Sequence, residues 1–321
     1  MTLPVDVEFG AVKQLLPSQP LSHHTQMTAS NLYWGALLAA IAVPLLALIF
    51  PSARRLLDHY RVATPQLKRD DFQRFRVVAR EVVNRGERPV IFLTLGVSTA
   101  GLPTGSHVKI RASVNGTEVI RSYTPTRFDK GECELMFRVY PSGPMTQHLS
   151  KLRVGDDVEM MGPTGLERYA VDGPGSFSRG SKVWKGIEHI GMLSGGTGIT
   201  PMLQICNHVL QDSHDPTSLS LLSFTNTVAD IMLDERLRTM AERSRGALRL
   251  TFVASQASEE DLKTRPDVRL ASMRTLTSDQ LIDMLGVPAD SSTMIAICGP
   301  DGFVQSAKAL LAGRFDNVLV W

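Results

Sequence analysis

The chain has 321 residues, enough for two ordinary domains. Its 34 Lys and Arg nearly balance its 32 Asp and Glu, which removes the basic footprint of a nucleic-acid binder and leaves attraction of any partner to local patches. Three cysteines, Cys133, Cys206 and Cys298, lie far apart without CxxC spacing, so neither a disulfide framework nor a zinc site is indicated and a reducing compartment is favoured.

Between Lys13 and Arg54 no Asp, Glu, Lys or Arg occurs, and "YWGALLAAIAVPLLALIF", Tyr33 to Phe50, is continuously apolar. That length matches a bilayer core of about 30 Å at about 1.5 Å per helical residue. The expected order is a tail at 1–32, a transmembrane anchor at 33–51 and a juxtamembrane linker at 52–69. Pro44 would break a soluble helix but is tolerated in a membrane. A signal peptide wants basic residues ahead of its apolar run; here Arg54, Arg55 and Arg61 follow it. The positive-inside rule then puts the large C-terminal part in the cytosol, without choosing between endoplasmic reticulum and mitochondrial outer membrane.

Residues 70–182 show short β-rich runs such as "PVIFLTLGV", "HVKIRASV" and "CELMFRVY", separated by turn chemistry that includes Asn115-Gly116. Alternation of Val108, Ile110 and Ala112 with Lys109, Arg111 and Ser113 marks strands buried on one face, and an antiparallel β-barrel with one short helix at "MTQHLSKL" is expected. Over 183–321 the rhythm becomes strand, helix, strand, with apolar strands at "IGMLSG", "LSLLSFT", "LRLTFVA", "TMIAIC" and "NVLVW". That pattern predicts an α/β domain with a parallel sheet covered on both faces.

Three stretches carry chemistry. "LSGGTGITPM", 193–202, ends a parallel strand, where open sheets bind ligands. Gly195 and Gly196 let backbone approach a ligand, Thr200 is expected to cap the following helix and Pro201 to fit its first turn. Alone, this is also ordinary strand-to-helix chemistry, and it is neither a P-loop nor a GxGxxG fingerprint. "RSYT", 121–124, closes a barrel strand; with "FRVY" at 137–140 and "GPMTQHL" at 143–149 it offers a guanidinium for pyrophosphate, aromatic rings for stacking and amides at a helix start. Those are the needs of a flavin dinucleotide. "ICGPDGF" ends in a turn after Cys298, a thiol with no His or Lys beside it in sequence to make it a nucleophile.

In order and spacing, "GLPTGSHV" (101–108), "RSYTP" (121–125), "GPTG" (162–165), "GGTGITPM" (195–202) and "CGP" (298–300) resemble the NADH-cytochrome b5 reductase family of ferredoxin-NADP reductase-like flavoproteins, from about residue 70 onward. The resemblance implies an FAD-binding barrel, then an NADH-binding α/β domain, and an oxidoreductase that passes electrons to cytochrome b5 or a similar haem carrier in trans. It implies that Arg121 holds the FAD pyrophosphate, that Ser122 and Tyr123 meet the flavin, and that Thr124 lies near N5. Arg138, where the family usually has Lys, Tyr140, Gly143, Met145 and Thr146 would contact the cofactor. Gly196, Thr197 and Thr200 would line the nicotinamide cleft with Cys298 and Pro300, making Thr124 and Cys298 the residues closest to hydride transfer. Asn226 would contact NADH, and Asp230 would accept from the adenosine ribose and favour NADH over NADPH. Ser122 replaces a usual Pro, and Trp321 stands where Phe is usual. The same parts would also serve a quinone or ferric reductase, or a non-catalytic nucleotide-binding subunit of a membrane complex.

Overall fold

The computed structural model describes residues 65–84, 88–98, 101–129 and 131–321. Among them no helix is long and apolar enough to cross a membrane, and the expected span at 33–51 lies outside them.

Seven antiparallel strands form the first sheet: β1 (Gln73–Asn84), β2 (Val90–Gly96), β3 (His107–Val114), β4 (Thr117–Tyr123), β5 (Arg127–Asp129), β6 (Glu132–Arg138) and β7 (Asp157–Thr164). Their order is β4-β3-β7-β1-β2-β6-β5. The sheet curls around a core that includes Phe75, Leu93, Ile110, Phe137 and Met160, and helix α1 (Pro144–Ser150) adds Met145 and Leu149 to it. β4 and β5 remain as edges, so the expected barrel is corrected to a half-barrel. Pro125 lies between those two strands, has no N–H to give a ladder, and leads into a β5 only three residues long.

A small antiparallel sheet of β8 (Glu167–Tyr169), β9 (Phe177–Arg179) and β10 (Lys182–Trp184) follows. Tyr169 and Phe177, their rings 4.9 Å apart, pack into the core of the second domain.

That domain is a parallel sheet of β11 (His189–Gly195), β12 (Ser218–Thr227), β13 (Leu248–Gln256), β14 (Val268–Leu270), β15 (Thr293–Cys298) and β16 (Asn317–Val320), in the order β14-β13-β12-β11-β15-β16. Helices α2 (Ile199–Gln211), α3 (Asp234–Arg243), α4 (Glu259–Thr264), α5 (Ser278–Leu285) and α6 (Asp301–Leu311) connect them. Alternation within β11 divides its side chains: Ile190 and Met192 pack with Met202, Ile205 and Leu237 of α2 and α3, whereas Leu193 packs with Leu281, Leu285 and Leu311 of α5 and α6. The chain winds outward from β11 to β14, then returns to the other side of β11 for β15. This reversal opens a crevice at the carboxyl ends of β11 and β15, where such sheets take ligands.

The half-barrel meets this domain through one face of two strands. Ile91, Leu93, Leu135 and Phe137 point into the half-barrel core, while Val90 and Met136 are buried in the core of the α/β domain, with Phe92 packed against it. Both faces of β2 and β6 are therefore interior.

Candidate active site

The crevice continues into a cleft of about 510 Å³ whose walls come from both domains. On the α/β side, "GGTG" forms a short 3-10 turn at Gly196–Gly198 that runs directly into α2, so the helix starts at Ile199. The residue at its cap is Gly198, and Thr200 is not the cap: its hydroxyl donates to the Thr197 carbonyl at 3.2 Å. Pro201 still lies in the first turn, where its missing N–H costs nothing. A Cβ on Gly198 would overlap the carbonyl of Cys298, so the ends of β11 and β15 interlock through bare backbone. Cys298 and Pro300 line the cleft beside Thr197 and Thr200. Burial pushes the Cys298 thiol up to about 12, which keeps it protonated and unsuited to nucleophilic attack.

On the half-barrel side, Ser122, Tyr123 and Thr124 line the cleft at the end of the edge strand β4. Tyr123 packs edge-on to Phe137, at 6.3 Å between centroids, and burial raises its phenol pKa. Arg121 is exposed outside this lining, with Nη1 donating 2.8 Å to the Ile120 carbonyl. Tyr140 and Thr146 line the cleft, and the Thr146 hydroxyl accepts from the Tyr140 amide at 3.2 Å and donates to the Gly143 carbonyl at 3.1 Å. Gly143 precedes α1, whereas Met145 is 2 % exposed and belongs to the half-barrel core, and both lie outside the cleft lining.

Arg138 is 8 % exposed and lines the cleft from the end of β6. It crosses to the second domain: Nη1 lies 3.2 Å from Asp230 Oδ1, and Nη2 donates 3.0 Å to the Asp230 carbonyl. Asp230 closes a 3-10 turn after β12, outside the cleft lining, and its Oδ2 accepts from the Thr227 hydroxyl at 2.9 Å. Asn226 is exposed on β12, likewise outside the lining. Gly196 is the first residue of the turn, with open space around its Cα, and lies outside the cleft lining.

Sequence reasoning passed over several lining residues. His107 faces the cleft near Glu167; burial lowers its pKa and the Glu167 charge opposes that shift. The position of His107 next to the glycine loop 101–106 was the available signal. That loop is gripped by the second domain. Gly105, at φ +94, donates its N–H to Gln204 Oε1 at 3.0 Å and accepts from Trp321 Nε1 at 3.1 Å, and Thr104 Oγ1 lies 2.9 Å from His208 Nδ1. A side chain at 105 would be strained and would press on the Glu167 backbone. Trp321 also lines the cleft.

Residues 74–169 match the oxidoreductase FAD-binding domain family, and residues 192–309 the oxidoreductase NAD-binding domain family. NADH-cytochrome b5 reductase 1 of Bos taurus is 32% identical over 288 residues, covering 84% of this chain and 92% of the relative. The protein of that name from Kluyveromyces lactis is 30% identical over 248 residues, covering 76% of this chain and 80% of the relative. The chain belongs to the NADH-cytochrome b5 reductase family. It is an FAD-dependent oxidoreductase of the NADH-cytochrome b5 reductase type, with FAD and NADH as its cofactors. The fold is also that of the cytochrome b5 reductase domain of Ulva prolifera nitrate reductase, with a TM-score of 0.68 at 24% identity, covering 80% of this chain and all of that domain. For this reductase the cleft has room for a flavin ring system, since ligand pockets run to about 300–1,000 Å³. Tyr123 and Tyr140 supply rings, and the buried Nε of Arg138 has no partner among the described residues, which leaves a donor for a ligand.

Proposed function

We propose that this NADH-dependent flavoprotein is anchored in a membrane by residues 33–51, faces the cytosol, and delivers its electrons singly to cytochrome b5 or a similar haem carrier. The observation that carries the reading is the cleft itself: Ser122, Tyr123 and Thr124 from one domain stand across from Thr197, Thr200 and Cys298 of the other. When bound, FAD supplies the ring that accepts hydride and can release electrons one at a time. The chain supplies alignment, which is most of what hydride transfer needs. Thr124 presents a hydroxyl at the half-barrel wall, and the Thr200 to Thr197 hydrogen bond holds the opposite wall in one shape. Buried Met136 and Phe137 exclude water behind the cleft. Cys298, held neutral, offers a soft surface without a charge that would alter the reaction. The roles given to Arg121, Ser122, Tyr123 and Tyr140 at the flavin, and to Asn226 and Asp230 at NADH, belong to the same proposal.

The apolar run Tyr33–Phe50 and the following arginines support the anchor. The full chain is expected to float with lipid vesicles, and a chain beginning at residue 52 to remain behind. For the reaction, anaerobic NADH should bleach a flavin spectrum, and oxidised cytochrome b5 should restore it. A flavin that NADH does not bleach would sink the reading. Faster restoration by quinones or ferric chelates than by cytochrome b5 would transfer it to those acceptors.

A further inference from the structure

Asp230 does not stand as a lone carboxylate. It follows the second strand of the parallel unit, where an acidic residue classically separates NAD from its 2′-phosphorylated form by accepting from the ribose 2′-hydroxyl. Here one carboxylate oxygen faces the Arg138 guanidinium at 3.2 Å and the other takes the Thr227 hydroxyl at 2.9 Å. In the helix that follows, Arg236 pairs with Glu134, and Asp234 with Arg265. Arg138 is the one cation that forms an ion pair with Asp230 among the described residues.

We infer that Arg138 sets how strictly this enzyme separates NADH from NADPH, by neutralising the carboxylate that discriminates between them. The inference rests on the proposed placement of the adenosine ribose at Asp230. A 2′-phosphate carries a charge of roughly −1.5 to −2 at pH 7, and an unpaired carboxylate repels it. With a guanidinium 3.2 Å away the pair presents a dipole instead of a net charge, and the repulsion weakens steeply with distance. Arg138 also keeps its Nε donor without a partner among the described residues, and guanidinium is a good match for phosphate oxygen. The carboxylate can still accept a ribose hydroxyl, because its two oxygens offer more acceptor sites than the two contacts fill. NADH therefore remains the better donor, with a narrower margin than Asp230 alone would give. Arg138 reaches Asp230 from the other domain, so the selectivity of the nucleotide site is set in part by the flavin domain.

The test compares kcat/KM for NADH and NADPH, with ferricyanide as acceptor, and calorimetric binding of 5′-AMP and adenosine 2′,5′-bisphosphate to the FAD-loaded protein. Arg138→Met should raise the NADH to NADPH ratio by about tenfold or more and weaken the bisphosphate relative to 5′-AMP by a similar factor, whereas Arg138→Lys should stay within about twofold of wild type. Asp230→Asn, which leaves Arg138 unmatched, should make NADPH the better donor. If Arg138 merely pins the domains, its loss affects both dinucleotides alike; an unmoved or lower ratio in Arg138→Met, or mere equality of the two donors in Asp230→Asn, overturns the inference. A flavin that neither dinucleotide bleaches in the wild-type protein would instead sink the reductase reading beneath it.

Discussion

The two walls of the cleft are built on opposite terms. The α/β wall comes from the ends of two central, fully covered strands, β11 and β15, and is shaped by backbone packed against backbone at Gly198 and Cys298. The half-barrel wall is different where β4 supplies it, because β4 is an edge strand and its lining residue Ser122 is exposed. One wall is therefore fixed by the fold and tolerates almost no change of volume. The other presents side chains whose alteration costs the fold little, which leaves them free to serve a ligand.

Substitutions can break or sharpen that contrast. Gly198→Ala should have the largest effect: the new methyl must displace the Cys298 carbonyl, at a cost of about 1–3 kcal/mol or more in stability, seen as a lower Tm and a loss of NADH turnover. A Tm equal to that of wild type would show that this wall yields. Arg121→Gln is the complementary test. It should change stability by less than about 0.5 kcal/mol, yet lower FAD retention at least about tenfold if Arg121 holds the pyrophosphate as proposed; unchanged retention removes Arg121 from the site. Arg236→Met removes an ion pair with Glu134 at 3.0 Å and a hydrogen bond to the Thr126 carbonyl at 2.8 Å. The pair is partly exposed, so a loss of about 1 kcal/mol in urea unfolding is expected, and no loss would mean that β6 is held by its apolar residues alone.

The smallest effect concerns pH. Burial lowers the His107 pKa below its ordinary value near 6.5. Between the lowered value and about 6.5 the unfolded chain binds more protons, so stability rises with pH across that window and is lost as pH falls through it. His107→Gln should flatten the acid side of a Tm profile, and a profile identical to wild type would show that His107 does not titrate there.

Much of this architecture was legible in the sequence, for a specific reason. Alternation in "HVKIRASV" and the near-continuous apolar runs of "IGMLSG" and "TMIAIC" report strands long enough for a period to be seen. β5, β8, β9, β10 and β14 have three residues each, too few to show a period, and α4 has only six. A half-barrel and a barrel share one sequence pattern, because they differ only in whether the edge strands β4 and β5 pair. On β6, Glu134, Met136 and Arg138 share one face, and charged residues around a methionine look like a solvated surface. They turn out to be the interface, and the partners of Glu134 and Arg138 lie 102 and 92 residues further along the chain. At that separation local pattern carries no signal. In the sequence Thr200 looks like a cap because hydroxyls cap helices; the 3-10 turn before α2 gives that position to Gly198.

The double-sided burial of β2 and β6 has a thermodynamic consequence. Val90, Phe92 and Met136 complete the core of the neighbouring domain, so neither half has a closed surface when alone. Heating the FAD-loaded chain should give one calorimetric transition, with the calorimetric and van't Hoff enthalpies in agreement, where independent halves would give two. Separated halves should expose those apolar faces and associate through them. Residues 65–321 are two domains by architecture, and the shared core predicts that they unfold as one unit.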